Sequence, residues 1–283
     1  MIINPSFRRC VSFLSLVIDG EESKIRYCGS SFIVYWQKTQ NSGSHFLVTA
    51  RHNLEECRAI RGTLIANFNL SSGGIDKIEL PESHWTSHPS TDVAAFPIHL
   101  KAEYDCAFLE RHHFFSNREY PVNAVDRVDV GDDIFYIGLF SPHTGATQFT
   151  PLSRFGKIAL TLGKVPVKFN SGSLERSTDA YLIEAQSWGG ASGSPVFHRK
   201  WPTSEAQELA FNDPTGPKLI GLLQGHFNFV SRRGNQTADW AQLSDSEQAK
   251  MEMNSGIGIV IPTSAIAETL NEAERAERGG SRG

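Results

Sequence analysis

The apolar positions of this chain fall in short runs between turn-forming residues, and few stretches keep a helical period. Val11–Ile18 is apolar and β-branched, and Gly20-Glu21-Glu22 closes it with a polar turn. Tyr27–Trp36 (YCGSSFIVYW) mixes aromatic and β-branched residues. Asn41-Ser42-Gly43-Ser44 then leads into His45–Ala50 (HFLVTA), which predicts a hairpin. Gly62–Leu70, Ile75–Leu80 and Val93–Ile98 read as further strands. The stretch from Lys101 to Asn123 is polar and aromatic without clean periodicity, and is read as the linker between two halves. Strands resume at Asp133–Phe140, Gly156–Leu162, Ala180–Ala185, Ser194–Phe197, Lys218–Leu223 and Gly256–Ile261. Short strands at this spacing predict an all-β barrel or sandwich. Two long polar stretches interrupt the second half, Lys200–Pro217 and Ser231–Ser255, with a short helix expected in Ala238–Met253. Pro262 opens Thr263–Arg278, whose alanines, glutamates and arginines predict a C-terminal helix. The glycine-rich end is expected to be disordered.

Composition narrows the class. The 283 residues are 40% hydrophobic and 20% charged, enough to bury a core, and the 24 glycines and 13 prolines suit a turn-rich chain. A net charge of −4 with only short, scattered basic pairs leaves out a general nucleic-acid surface. Val11–Ile18 is too short to span a membrane, and no small-residue cleavage site follows it. Cys10, Cys28, Cys57 and Cys106 have no close spacing, so thiols in a reducing, cytoplasmic setting are expected in place of a disulfide framework.

Three segments carry candidate chemistry, in this order: Thr49-Ala50-Arg51-His52 at the end of a strand, Thr91-Asp92-Val93-Ala94 opening another, and Gly189-Gly190-Ala191-Ser192-Gly193-Ser194-Pro195. Attack on a carbonyl needs a hydroxyl, a base to take its proton, and a fixed partner for that base. It also needs donors facing the oxyanion that develops. The glycine-rich segment can supply both the hydroxyl of Ser192 and two amides, those of Gly190 and Ser192. It is not a nucleophile elbow, because Ser194 stands where the last glycine of that motif belongs. Asp76 and Asp105 are rivals to Asp92, and Ser194 is the local rival to Ser192. His84 and His88 are four residues apart, but serines and a proline argue for a loop there, and no metal site is expected.

T-A-R-H, T-D-V-A-A-F and G-A-S-G-S-P, in that order, resemble the histidine, aspartate and serine motifs of the trypsin-like serine peptidase family, in its disulfide-free bacterial style. VDVGDDIFYIGLF, LIGLLQG and GIGIVIPTSAI are weaker echoes of its second barrel. The resemblance implies two six-stranded antiparallel β-barrels of the chymotrypsin-like type with a C-terminal helix. Residues 1–120 would form the first and 121–283 the second, with the site in the cleft between them. It implies His52 as general base, Asp92 as its orienting acid, Ser192 as nucleophile, and the Gly190 and Ser192 amides as the oxyanion hole. A protein or peptide is the implied substrate, with no cofactor, no nucleic acid and no membrane. Gln186, Gln224, Gly225 and His226 fall where the substrate cleft is expected. Ala191 stands where activated zymogens carry an aspartate, which argues against activation by a cut N-terminus. The two long stretches are candidates for gating the cleft or docking a regulatory protein. The competing expectation is a catalytically silent protease-like scaffold that binds a partner.

Overall fold

The computed structural model describes residues 3–18, 25–39, 42–115, 127–168, 175–186, 189–199, 216–230 and 252–280. The first half holds α1 (Pro5–Arg9), β1 (Val11–Ile18), β2 (Ile25–Thr39), β3 (Ser42–Thr49), α2 (His52–Ala59), β4 (Gly62–Asn69), β5 (Ile75–Glu79), β6 (Thr86–Ser87) and β7 (Ala94–Ile98). Its strands form one antiparallel sheet in the order β5-β4-β1-β2-β3-β7-β6. Alternation along β1, β2 and β3 sends Leu14, Leu16, Ile33 and Leu47 to one face, where they meet Leu64 and Phe68 of β4 and Phe96 of β7. The sheet therefore curls round a core contributed from both of its ends. Among the described residues no ladder joins β5 to β6, so this half is a rolled seven-stranded sheet where a six-stranded barrel was expected.

The second half closes as expected. β8 (Asp133–Gly138), β9 (Leu152–Lys168), β10 (Glu175–Glu184), β11 (Pro195–Arg199), β12 (Lys218–Val230) and β13 (Glu252–Pro262) form an antiparallel barrel in the order β10-β13-β12-β11-β8-β9. Its interior is Ile134, Tyr136, Ile158, Ile183, Val196, Ile220, Leu223 and Val260. α3 (Thr263–Gly280) follows directly from β13. The helix expected in Ala238–Met253 lies outside the described residues apart from its last two, which belong to β13. The two long stretches lie largely outside them too.

α1 and α3 both cross over. Phe7 of α1, only 1% exposed, packs edge-on against the stacked rings of Phe135 and Phe197 of the barrel, with ring centroids 5.9 and 5.1 Å away. α3 returns to the first half, where Asn271 accepts from the Trp36 indole at 3.1 Å and Glu277 pairs with Lys38 at 3.1 Å. One apolar cluster runs from Phe32, Phe46 and Val48 through Phe7 to Phe197, Ile266 and Leu270. Phe7→Ala is expected to cost about 3–5 kcal/mol, because the site is ringed by rigid aromatic and strand residues that cannot collapse into the space. Urea unfolding of the two proteins checks this.

The segment read as a linker is partly structural. Leu109 is fully buried, and its backbone exchanges hydrogen bonds with Tyr35 and Ile33, at 2.8 and 2.9 Å. Irregular backbone lacks a period, so the apolar anchors Tyr104, Leu109, Phe114 and Phe115 gave no pattern. No disulfide forms among the four cysteines. Burial pushes the Cys28 thiol up to about 12 and raises Cys10 further, so neither is poised to react.

Candidate active site

β3 ends at Thr49, and three residues later His52 opens α2. Arg51, at the cap position, offers no side-chain acceptor to the first helical amides. Asp92, on the turn before β7, supplies it instead. Its Oδ1 accepts the His52 backbone N–H at 2.9 Å, and its Oδ2 accepts from the ring Nδ1 at 2.6 Å. A buried carboxylate can only accept, so the proton sits on Nδ1 and the Nε2 lone pair is left outward. The Asp92 side chain is 2% exposed and that of His52 37%. Burial draws the His52 pKa down, but the charge and hydrogen bond of Asp92 outweigh it, with Glu56 and Glu55 adding. The net shift is upward.

The turn carrying Asp92 is held by a second histidine. His88 is 6% exposed, and its Nδ1 accepts the amides of Ser90 and Thr91 at 3.2 and 3.0 Å. Nε2 must then carry the proton, and it donates to Glu268 of α3 at 3.1 Å. Arg51 donates to the His88 carbonyl at 3.0 Å. Both ring nitrogens are thus engaged by the chain itself, which accounts for His88 without a metal. Among the described residues no group of three metal-ligating side chains occurs. His88→Leu strips the acceptor from two amides and is expected to lower stability by about 1–3 kcal/mol. It should also slow any reaction that depends on Asp92; thermal melts beside rate measurements test both. The rival acids are engaged elsewhere, Asp76 with Lys101 and Tyr104 and Asp105 with Arg9.

The glycine-rich segment forms the turn before β11. Gly190 has φ +92°, and a Cβ there would lie 2.7 Å from Leu139. Gly193 has φ +86°, and a Cβ would lie 2.1 Å from the Ser30 carbonyl oxygen, so no other residue fits without moving β2. Among the described residues the amides of Gly190 and Ser192 meet no acceptor, whereas that of Gly193 donates to Leu223 at 2.8 Å. Two neighbouring amides left open in a glycine-shaped turn can take a developing oxyanion.

The segment docks on the first half. The Ser192 carbonyl accepts the Ser30 amide at 2.8 Å and the Asn53 side chain, next to His52, at 3.4 Å. The Ser192 hydroxyl donates to the Gln224 carbonyl at 3.0 Å. The structure therefore joins His52 to Asp92 and seats the backbone of Ser192 beside Asn53, but does not hydrogen-bond the Ser192 hydroxyl to His52. Ser194 is fully buried and its hydroxyl has no partner among the described residues, which removes it as an accessible rival.

Gln186 is exposed at the end of β10, and its carbonyl accepts from Tyr136. Gln224 is 8% exposed on β12, with Gly225 and His226 following it half-buried and paired with Ile259 and Gly258 of β13. Residues 187 and 188 lie outside the described set, so these positions outline only one side of a cleft.

No family model matches the chain, and no curated protein matches it. Solved structures do. The chain is similar to Rv3671c from M. tuberculosis H37Rv in an inactive form, at 15% identity over 95% of this chain and 89% of that one, with a TM-score of 0.48. It is similar to the MamO protease domain of Magnetospirillum magneticum at 13% identity, over 93% and 96% of the two chains, with a TM-score of 0.48. With Deg5 the identity is 16%, the coverage 77% and 80%, and the TM-score 0.43.

Proposed function

We propose that the chain is a serine endopeptidase in which Ser192 attacks the scissile carbonyl, His52 takes and returns the proton, and Asp92 orients His52. The observation that carries this reading is the double use of Asp92, one oxygen on the His52 amide and the other on Nδ1. That arrangement fixes the helix that bears the base and, at the same time, the tautomer the base needs. The open amides of Gly190 and Ser192 would bind the oxyanion, and an acyl-enzyme would then be hydrolysed with His52 activating water. No metal or organic cofactor enters the reaction. Gln186, Gln224, Gly225 and His226 would line the substrate cleft, with a protein or peptide as substrate and the cytoplasm as the setting.

A specific contact favours latency within this reading. The Ser192 hydroxyl donates its hydrogen bond to the Gln224 carbonyl, so attack requires a rotation of its side chain towards His52 Nε2. Substrate or a regulatory protein that occupies the Gln224 carbonyl would release it. A fluorophosphonate probe tests the proposal. Labelling of wild type but not of Ser192→Ala supports the enzyme, and labelling only after addition of cell extract supports latency. Absence of labelling in both conditions leaves a protein-binding scaffold.

A further inference from the structure

We infer that Ser30 is the positioning residue of the oxyanion hole, a clamp from the first half that holds the nucleophile turn of the second in its working shape. This rests on the reading of Ser192 as nucleophile. Ser30 lies on β2, fully buried, and touches the turn at two carbonyls. Its hydroxyl donates to the Gly190 carbonyl at 2.9 Å, and its backbone amide donates to the Ser192 carbonyl at 2.8 Å. The same hydroxyl accepts the Leu139 amide from the end of β8 at 2.8 Å. An amide can only donate, so the single hydroxyl proton is committed to Gly190 and the direction of the relay is fixed.

The carbonyl of Gly190 belongs to the peptide plane between Gly190 and Ala191, and that of Ser192 to the plane between Ser192 and Gly193. Holding both planes brackets the peptide between Ala191 and Ser192, which carries the Ser192 amide. The Ser192 amide, which meets no acceptor among the described residues, is thereby aimed without a bond of its own; the Gly190 amide lies in the plane just before the held pair, whose Gly189 carbonyl accepts from the Ser141 hydroxyl at 3.3 Å. A turn with two open amides and two glycines at positive φ would otherwise relax by flipping a peptide. The rest of the clamp is buried and satisfied. Thr49 donates to the Ser30 carbonyl at 2.7 Å, and Asn53 donates to Thr49 at 2.9 Å, so the strand before His52 and the helix after it brace the same residue. With Ala191 unable to form an ion pair, a buried hydroxyl holds this turn.

The test is Ser30→Ala, which removes the hydroxyl and keeps the backbone donor. Labelling by the fluorophosphonate probe and the acylation burst with p-nitrophenyl acetate both need the oxyanion hole but no specificity pocket. Each rate is expected to fall about 10- to 100-fold, below the 10²–10³ seen when an oxyanion donor itself is lost. The acid limb of the pH profile should stay where wild type has it, because His52 and Asp92 are untouched. A residue that served only to keep the chain folded would lower the melting temperature without this selective loss. Ser30→Cys, close in size with a weaker donor, should fall between the two. It decides the matter if the alanine variant fails to fold. Wild-type rates in folded Ser30→Ala or Ser30→Cys would overturn the clamp, provided wild type is labelled and Ser192→Ala is not. Wild type that is never labelled would overturn the nucleophile reading, and the clamp with it.

Discussion

Ser192→Ala is expected to lower peptide turnover by about 10⁶-fold, the scale measured when the serine of such a triad is removed. Stability should change little. The hydroxyl makes one hydrogen bond, 3.0 Å to the Gln224 carbonyl, and a typical bond of this kind contributes about 1 kcal/mol. The main-chain contacts of residue 192 with Ser30 and Asn53 do not involve the hydroxyl and survive the change. A large loss of rate at a nearly constant melting temperature is therefore the signature to measure. Ordinary turnover in this variant would shift attention from the hydroxyl to another group. Ser194, fully buried, could not take over without moving the turn.

Asp92→Asn is the second large effect, about 10⁴-fold in kcat. An amide NH₂ opposite Nδ1 would donate where the carboxylate accepts, and the ring would carry its proton on Nε2 instead. A base with its lone pair on the wrong side cannot take the proton of Ser192. The pH profile offers an independent readout. Burial lowers the His52 pKa, but the Asp92 charge and hydrogen bond, with Glu56 and Glu55, raise it overall. The base works when neutral, so the acid limb of kcat/KM in wild type should lie above the ordinary imidazole value of about 6.5. In Asp92→Asn burial is left less opposed, and the limb should move to lower pH. Stability runs the other way. The gain from pairing charged His52 with Asp92 is fully present below the unfolded imidazole value, and is lost as pH rises through the raised folded one. The pH at which the base becomes competent is thus the pH at which the charge pairing stops contributing to the fold, leaving the Nδ1 hydrogen bond.

The strands were legible because alternating or β-branched runs between turns carry their own signal, as at Val11–Ile18 and Tyr27–Trp36, which appear as β1 and the centre of β2. α1 and α2, of five and eight residues, are too short to express a helical period. α2 also begins without a side-chain cap of its own, since Asp92 supplies one from 40 residues away. The His-Asp-Ser order pointed to the His52–Asp92 pair that the structure joins, but not to the direction of the Ser192 hydroxyl, which depends on a β12 carbonyl 32 residues on. In the sequence Ser30 is only part of a strand pattern. Nothing in YCGSSFIVYW reveals a hydroxyl that bonds to a turn 160 residues later. His88 drew notice through its spacing from His84, whereas its real partners are its own neighbours' amides and a carboxylate on α3. Local pattern reports periodicity and turn chemistry; it is silent on buried polar bonds closed across the two halves.

The crossing of α1 and α3 has a mechanical consequence. Each half lends the other the piece that seals it, α1 stopping one side of the barrel and α3 bracing the sheet that bears His52 and Asp92. α1 and α3 thus tie together the same two halves that Ser30 joins to the turn bearing Ser192. Loosening either tie would let the surface bearing His52 shift against the turn bearing Ser192 while each half kept its own strands.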